Sequence, residues 1–163
     1  MIKWKQLPHG WVKCNSDGVW NAECNKCGIC WVLRNSDKNV LWMGARAIPK
    51  AQSALVTEAE ALRWAVLSLS RLNYRKVIFE SDSQQLVSIL VDNDDMPTLD
   101  PIIQDIKFLL QHFEETKFVF MHRGGNGVAD RIAKESLSLE NYDPKLYSIV
   151  PNWVKSFVEL DKL

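Results

Sequence analysis

The sequence lacks the marks of several classes of protein. Its 20 basic and 20 acidic residues give a formal net charge of zero, whereas proteins that bind nucleic acid without specificity are usually basic. No apolar run approaches the roughly 18 residues of a membrane span, and no secretory signal peptide is evident. We therefore predict a nuclear or cytoplasmic protein, neither secreted nor membrane-embedded, that holds any polyanionic partner through a local basic patch or a metal.

Cysteine is also scarce, with four residues in the chain. Because no secretory signal is evident, reduced thiols are expected and disulfides are not. Cys24 and Cys27 have the spacing of half a zinc site, and Cys14 and Cys30 would supply two further thiolates. The alternative is that the cysteines are small core residues, since Cys14 and Cys30 lie in predicted strands.

The residues that are present predict one α/β domain. The 163 residues, 47% of them hydrophobic, suit a single domain over 1–163, with a core at about 10–137 and a C-terminal extension at 138–163. Alternating apolar runs predict three antiparallel strands, the last two joined by a hairpin around residues 35–39. Helix, strand, helix, helix, strand and helix follow, and one more short helix is expected in the extension. A mixed five-stranded sheet flanked by helices accommodates this order.

Acidic residues recur near the ends of the predicted strands. Asp17 is expected to end the first strand, and Asp82 follows the fourth, which should lie parallel to the first. Binding sites in such sheets lie beyond the strand ends, so the two carboxylates are expected to face each other. A simpler interpretation of the Ser81–Ser83 stretch is helix capping.

The first long helix, predicted from about Ser53 to Leu72, carries two glutamates in different settings. At about 100° per residue, Glu58 is in line with the apolar stripe of the helix, while Glu60 is rotated by about 200° and should face solvent. A glutamate on the core face needs a partner. Interaction with the helix N-terminus is the alternative and explains Glu60 better.

A fourth carboxylate, Asp130, comes early in the helix after "GGNG", where a helix-dipole role is again the alternative. Four carboxylates that converge on one edge of a sheet repel one another unless cations neutralise them. Oxygen-only ligands point to Mg²⁺ or Mn²⁺. Two such ions suit the attack of water on a phosphodiester.

Five segments carry a family resemblance. They are "KCNSDGVW", "GICWVLRNS", "TEAEALRWAV", "VIFESDSQQLV" and "RGGNGVADRIAK". With their order and spacing, the chain resembles the ribonuclease H domain of the plant type that derives from non-LTR retroelements. The resemblance implies strand order 3-2-1-4-5 with strand 2 antiparallel, and a monomeric endonuclease that cuts the RNA strand of RNA/DNA hybrids with two Mg²⁺ ions, for which Mn²⁺ can substitute.

The resemblance also assigns roles to residues. Asp17 would bridge both ions, Glu58 and Asp82 would serve one ion, and Asp130 the other. One ion would activate water and the other would stabilise the leaving oxygen. The residues expected to contact nucleic acid are Gly18, Trp20, Ser83, Gln84, Arg123 and Asn126. For Trp20, a place in the core is an equal alternative.

The chain departs from the family pattern in three places. Ala54 and Leu55 stand where the family has asparagines that touch RNA 2′-hydroxyls, and the segment after the predicted helix at 83–91 is acidic where some relatives have a basic protrusion. The family's histidine position holds Phe120, and His122 follows it as a candidate catalytic residue or a structural residue beside the turn. The missing asparagines, the missing basic protrusion and the zero net charge favour an alternative function, a domesticated ribonuclease H-fold nucleic-acid-binding or scaffold domain with little or no turnover. The presence of all four acids favours the enzyme.

Overall fold

The computed structural model describes residues 7–122 and 127–162. It contains six strands and five α-helices within these residues, some flanked by short 3-10 turns. The strands are β1 Val12–Val19, β2 Lys26–Arg34, β3 Val40–Pro49, β4 Lys76–Ser81, β5 Glu115–Phe120 and β6 Lys145–Tyr147. The helices are α1 Ala54–Arg71, α2 Gln84–Asp92, α3 Asp100–Leu109, α4 Gly127–Ser136 and α5 Asn152–Lys162.

The strands form one mixed sheet with the order β5-β4-β1-β2-β3-β6. β2 runs antiparallel to both β1 and β3, while β4 is parallel to β1 and to β5. The predicted α/β fold and the strand order 3-2-1-4-5 are therefore confirmed. The predicted count of five strands is wrong, because β6 adds a three-residue antiparallel strand to the outer edge of β3.

Local sequence signals explain where the elements begin and end. Asn35 closes the β2–β3 hairpin, where its side chain accepts hydrogen bonds from the backbone N–H groups of Asp37 and Asn39. Ser53 and Ser83 cap α1 and α2, each accepting a hydrogen bond from a backbone N–H three residues later. Such caps satisfy donors that the first helical turn leaves unpaired.

Each face of the sheet carries its own core. The side chains of β2 alternate, so that Ile29, Trp31 and Leu33 pack beneath α1, α2 and α3. Cys30 and Val32 face the opposite side, where α4 and α5 cover them. The period of two in a strand is the cause of this division.

The cysteine pattern follows from the same division. Cys14 belongs to the core beneath α1, whereas Cys30 belongs to the core beneath α4. Both are fully buried, as is Cys27. Because Cys14 and Cys30 lie on opposite faces of the sheet, the four thiols do not form one zinc site. Cys14, Cys27 and Cys30 are buried core residues, as the alternative interpretation predicts.

One predicted boundary is wrong. β1 continues through Asp17 to Val19, because Asp17 and Gly18 stay paired with Cys30 and Ile29 of β2. The third helix ends at Leu109, and a 3-10 turn follows it. The "RGGNG" turn lies almost wholly outside the described residues. Among those described, no helix is long and apolar enough to cross a membrane.

Candidate active site

Asp17 lies in β1 with its carboxyl buried. The side chain is held beside the backbone, since the N–H of Gly18 donates to Asp17 Oδ1 at 2.9 Å. The residue is only 1% exposed. Charged carboxylates are rarely buried to this degree unless they are paired or bind a cation.

Glu58 reaches Asp17 because α1 approaches β1 closely at Gly18. A Cβ atom at Gly18 would lie 2.8 Å from Thr57 Cγ2 and 2.9 Å from the Thr57 carbonyl oxygen. Any larger residue would push α1 away from the strand. The close approach also lets the Gly18 N–H contact Glu58 Oε1 at 3.3 Å.

Asp82 completes a cluster of three carboxylates. It follows the last residue of β4, which lies beside β1 in parallel. Asp17, Glu58 and Asp82 each offer an oxygen within 4.8 Å of the others. Within residues 7–122 and 127–162, this is the one group of three or more acidic, histidine or cysteine side chains close enough to share a metal ion.

The electrostatics of the carboxylate cluster suit a bound cation. Burial is the main cause that raises the pKa of Asp17 to about 7, and the charges of Asp82 and Asp130 also raise it. Burial and then the charge of Asp17 raise the pKa of Glu58 to about 11. Asp17 Oδ2 and Glu58 Oε2 are buried without a hydrogen-bond partner among the described residues. An all-oxygen donor set with unsatisfied carboxylate oxygens suits a hard divalent cation.

Asp130, in the first turn of α4, is near enough for its charge to raise the pKa of Asp17, but it is not one of the three carboxylates with oxygens within 4.8 Å of one another. A Cβ at Gly28 would lie 2.3 Å from the Ala133 carbonyl oxygen, so glycine allows α4 to lie close on β2. The thiol of Cys30, the register partner of Asp17, donates to the carbonyl oxygen of Ala129 at 2.8 Å. These contacts fix α4, and they were missed from the sequence because nothing local marks them.

The family of the chain follows from a sequence profile that spans most of it. Residues 15–136 match the reverse transcriptase-like family. The chain belongs to this family and is a ribonuclease H-like domain. No curated protein sequence matches it.

Solved structures share the fold of this ribonuclease H-like domain. Ribonuclease H1 from the archaeon Halobacterium salinarum NRC-1 superposes with a TM-score of 0.73 and 24% identity, over 78% of this chain and 97% of that one. The N-terminal ribonuclease H domain of rv2228c from Mycobacterium tuberculosis gives 0.71 and 22%, over 78% and 93%. LC11-RNase H1, solved in complex with an RNA/DNA hybrid, gives 0.71 and 22%, over 77% and 96%. The plant, retroelement-derived origin stays a prediction.

His122 lies at the end of the domain that carries the acids. Met121, directly before it, donates its backbone N–H to the carbonyl oxygen of Ser81 at 2.9 Å. This contact joins the chain after β5 to the end of β4, one residue before Asp82. The imidazole is exposed and packs edge-on against Phe120, with ring centroids 5.0 Å apart. His122 is therefore near the carboxylate edge and accessible from solvent.

Glu60 does not face open solvent as its helical angle predicts. Its Oε2 lies 2.5 Å from Arg63 Nη2, and Arg63 Nη1 lies 3.0 Å from Asp105 Oδ2 of α3. The side chain of Glu60 is only 25% exposed. Glu60 therefore takes part in an ion-pair network between α1 and α3, away from the carboxylate cluster.

The residues expected to contact nucleic acid have different surroundings. The indole N–H of Trp20 donates to the carbonyl oxygen of Ala51 at 2.8 Å, and Lys50 Nζ lies 5.0 Å from the ring centroid. The hydroxyl of Ser83 is the α2 cap, while Gln84 is exposed beside it. Gly18 supports the approach of α1. Arg123 and Asn126 lie outside the described residues.

Proposed function

We propose that this ribonuclease H-like domain is a divalent-metal-dependent endonuclease that cleaves the RNA strand of RNA/DNA hybrids. One observation carries the proposal: Asp17, Glu58 and Asp82 place oxygens within 4.8 Å of one another, with two of the three side chains buried. Burial of like charges is unfavourable without cations. The hybrid as substrate is supported by the shared fold with LC11-RNase H1, which was solved with one.

The chain's own residues would divide the work as follows. Asp17 would be shared between two Mg²⁺ or Mn²⁺ ions, Glu58 and Asp82 would hold one ion, and Asp130 the other. The ions supply Lewis acidity and a more acidic bound water. The protein holds the carboxylates in place before substrate arrives, through the Gly18 contact with α1 and the Cys30 contact with α4. Such preorganisation avoids reorganisation during the reaction.

A second candidate is a hybrid-binding or scaffold domain with little turnover. The observation that favours it is the first turn of α1, where Ala54 and Leu55 offer no polar side chain to a ribose hydroxyl. Weak recognition of the RNA strand would lower productive binding without altering the carboxylates. The two candidates differ in turnover and not in fold.

Cleavage of an end-labelled RNA/DNA hybrid with Mg²⁺ or Mn²⁺ tests the proposal, with duplex RNA and duplex DNA as parallel substrates. The enzyme should cut the RNA strand of the hybrid, and chelation should stop it. Asp17→Asn is the control for a contaminating nuclease. Binding of the hybrid with no cleavage above the Asp17→Asn background would support the scaffold candidate.

A separate prediction concerns His122. We expect His122→Ala to lower steady-state turnover by about ten- to a hundredfold, because an imidazole near the carboxylate edge can transfer a proton to the departing phosphate near neutral pH. The effect should appear in steady-state turnover and less in single-turnover cleavage, since product release is the step concerned. Rapid-quench and steady-state rates on the same hybrid measure it.

His112 provides the matched control for this prediction. It is also exposed and lies at the opposite end of β5, where its ring is 6.5 Å from that of Phe108. His112→Ala should leave both rates unchanged. Phe120→His tests whether the family's usual histidine position still supports turnover. An unchanged steady-state rate in His122→Ala would refute the role.

A further inference from the structure

Four polar side chains are buried on three inner strands of the sheet. They lie on β1, β2 and β4, and each is at most 5% exposed. The four residues are Lys13, Asn15, Arg34 and Glu80. We refer to them as the buried ion network. Burying such groups is costly, and apolar residues of similar size often serve stability equally well. Their burial therefore suits a role beyond stability.

Glu80 is the centre of the buried ion network. Its Oε1 accepts a hydrogen bond from Asn15 Nδ2 at 3.2 Å and lies 3.6 Å from Lys13 Nζ. Burial raises the pKa of Glu80, while the nearby charges of Lys13 and Arg34 lower it. The carboxylate therefore receives a hydrogen bond and an ion pair from β1, the strand that also carries Asp17.

The network lies where the pairing of β1 with β4 ends. Asn15 and Glu80 form the last register pair of this parallel ladder, which begins at Val12 and Val77. Asp17 and Asp82 each follow two residues later, beyond the ladder. Two residues advance a strand by about 6.6 Å. Among the described residues the β1–β4 ladder stops before the acids, so the contact between Asn15 and Glu80 is its last cross-strand pair before Asp17 and Asp82.

We propose that Asn15, Lys13 and Glu80 are positioning residues for the divalent cation site. They lock β1 to β4 at the last paired position and so hold the oxygens of Asp17 and Asp82 at the spacing that a shared cation requires. The proposal rests on the proposed function, because it concerns the same carboxylates. Residues that orient metal ligands typically contribute ten- to a hundredfold to metal affinity.

Asn15→Ala is the direct test, since it removes the cross-strand hydrogen bond without changing any charge. Calorimetric titration of the full chain with Mn²⁺ should show an affinity about ten- to a hundredfold lower than that of the unaltered protein. The matched control is Ile106→Ala in the α3 core, which should lower the melting temperature and leave Mn²⁺ affinity unchanged. This control separates positioning from a general loss of stability.

Lys13→Met is a test in which simple electrostatics and positioning predict opposite changes in Mn²⁺ affinity. By Coulomb's law alone, removing a positive charge near a cation site should strengthen Mn²⁺ binding. Positioning predicts that binding weakens, because Glu80 loses its ion pair to β1. If the unaltered chain binds Mn²⁺, tighter binding by Lys13→Met or unchanged binding by Asn15→Ala would overturn this inference. Either result would leave the proposed function standing. Absence of Mn²⁺ binding by the unaltered chain would contradict the proposed function and the inference together.

Discussion

Replacing Glu58 with glutamine should abolish metal-dependent cleavage of an RNA/DNA hybrid, whereas the same change at Glu60 should leave it nearly intact. Glu58 is 8% exposed and lies in the carboxylate cluster, while Glu60, two residues later, pairs with Arg63. We expect a loss of about a thousandfold or more, because metal assistance contributes several kcal/mol to the transition state. Initial rates at saturating Mn²⁺ measure it.

The pair of variants controls for stability and helix structure. Both changes are isosteric and lie in α1. Glu60→Gln should cost little, since the ion pair of Glu60 with Arg63 is partly exposed and surface pairs contribute about 0–1 kcal/mol. Circular dichroism should show the same helix content in both proteins. A dispensable Glu58, or an essential Glu60, would contradict the assignment of the site.

The same loss is expected for the other three acids. Asp17→Asn, Asp82→Asn and Asp130→Asn each keep the shape of the side chain and remove one cation ligand. Asp130 also pairs with Lys134, whose Nζ lies 2.9 Å from Asp130 Oδ2. Lys134→Met therefore tests whether cleavage needs that ion pair, and we expect a smaller loss than for Asp130→Asn. Near-normal cleavage by Asp130→Asn would remove the fourth carboxylate from the site.

The carboxylate cluster was predictable because its signals are local. Helical periodicity places Glu58 on the buried face of α1, and Asp82 directly follows an apolar strand. The parallel pairing of β1 and β4 then brings Asp17 and Asp82 together. Each step needs only the period of an element and the order of the strands.

The remaining features depend on contacts between distant segments. The sequence pattern ends the first strand at Asp17, but Gly18 also lies in β1 and allows the approach of Thr57. Helical periodicity predicts the direction in which Glu60 points from α1. It does not predict that Arg63, the partner of Glu60, also pairs with an acidic residue of α3. β6 has three residues, too few for a strand pattern, and it pairs with the otherwise open edge of β3.

The buried acids also predict that, without metal, the protein loses stability as the pH rises. Asp17 and Glu58 have pKa values of about 7 and about 11 in the fold, compared with about 4 in an unfolded chain. At pH values between the unfolded and the folded pKa values, the folded protein binds more protons than the unfolded one. The stability that these two carboxyls contribute is therefore complete below about pH 4. It declines as the pH rises through about 7, where Asp17 ionises, and further towards 11.

The isosteric double change Asp17→Asn/Glu58→Gln should remove this decline. In chelator at about pH 8, we expect the variant to melt several degrees above the unaltered chain, because about 1 kcal/mol corresponds to roughly 2–4 °C in a domain of this size. At about pH 4 the two should melt alike. Mn²⁺ should raise the melting temperature of the unaltered chain most at the higher pH, since ligand binding to the folded state stabilises it, and should do little for the variant. A variant that melts below the unaltered chain at about pH 8 would show that the carboxyls are stabilised by contacts within the protein and need no cation.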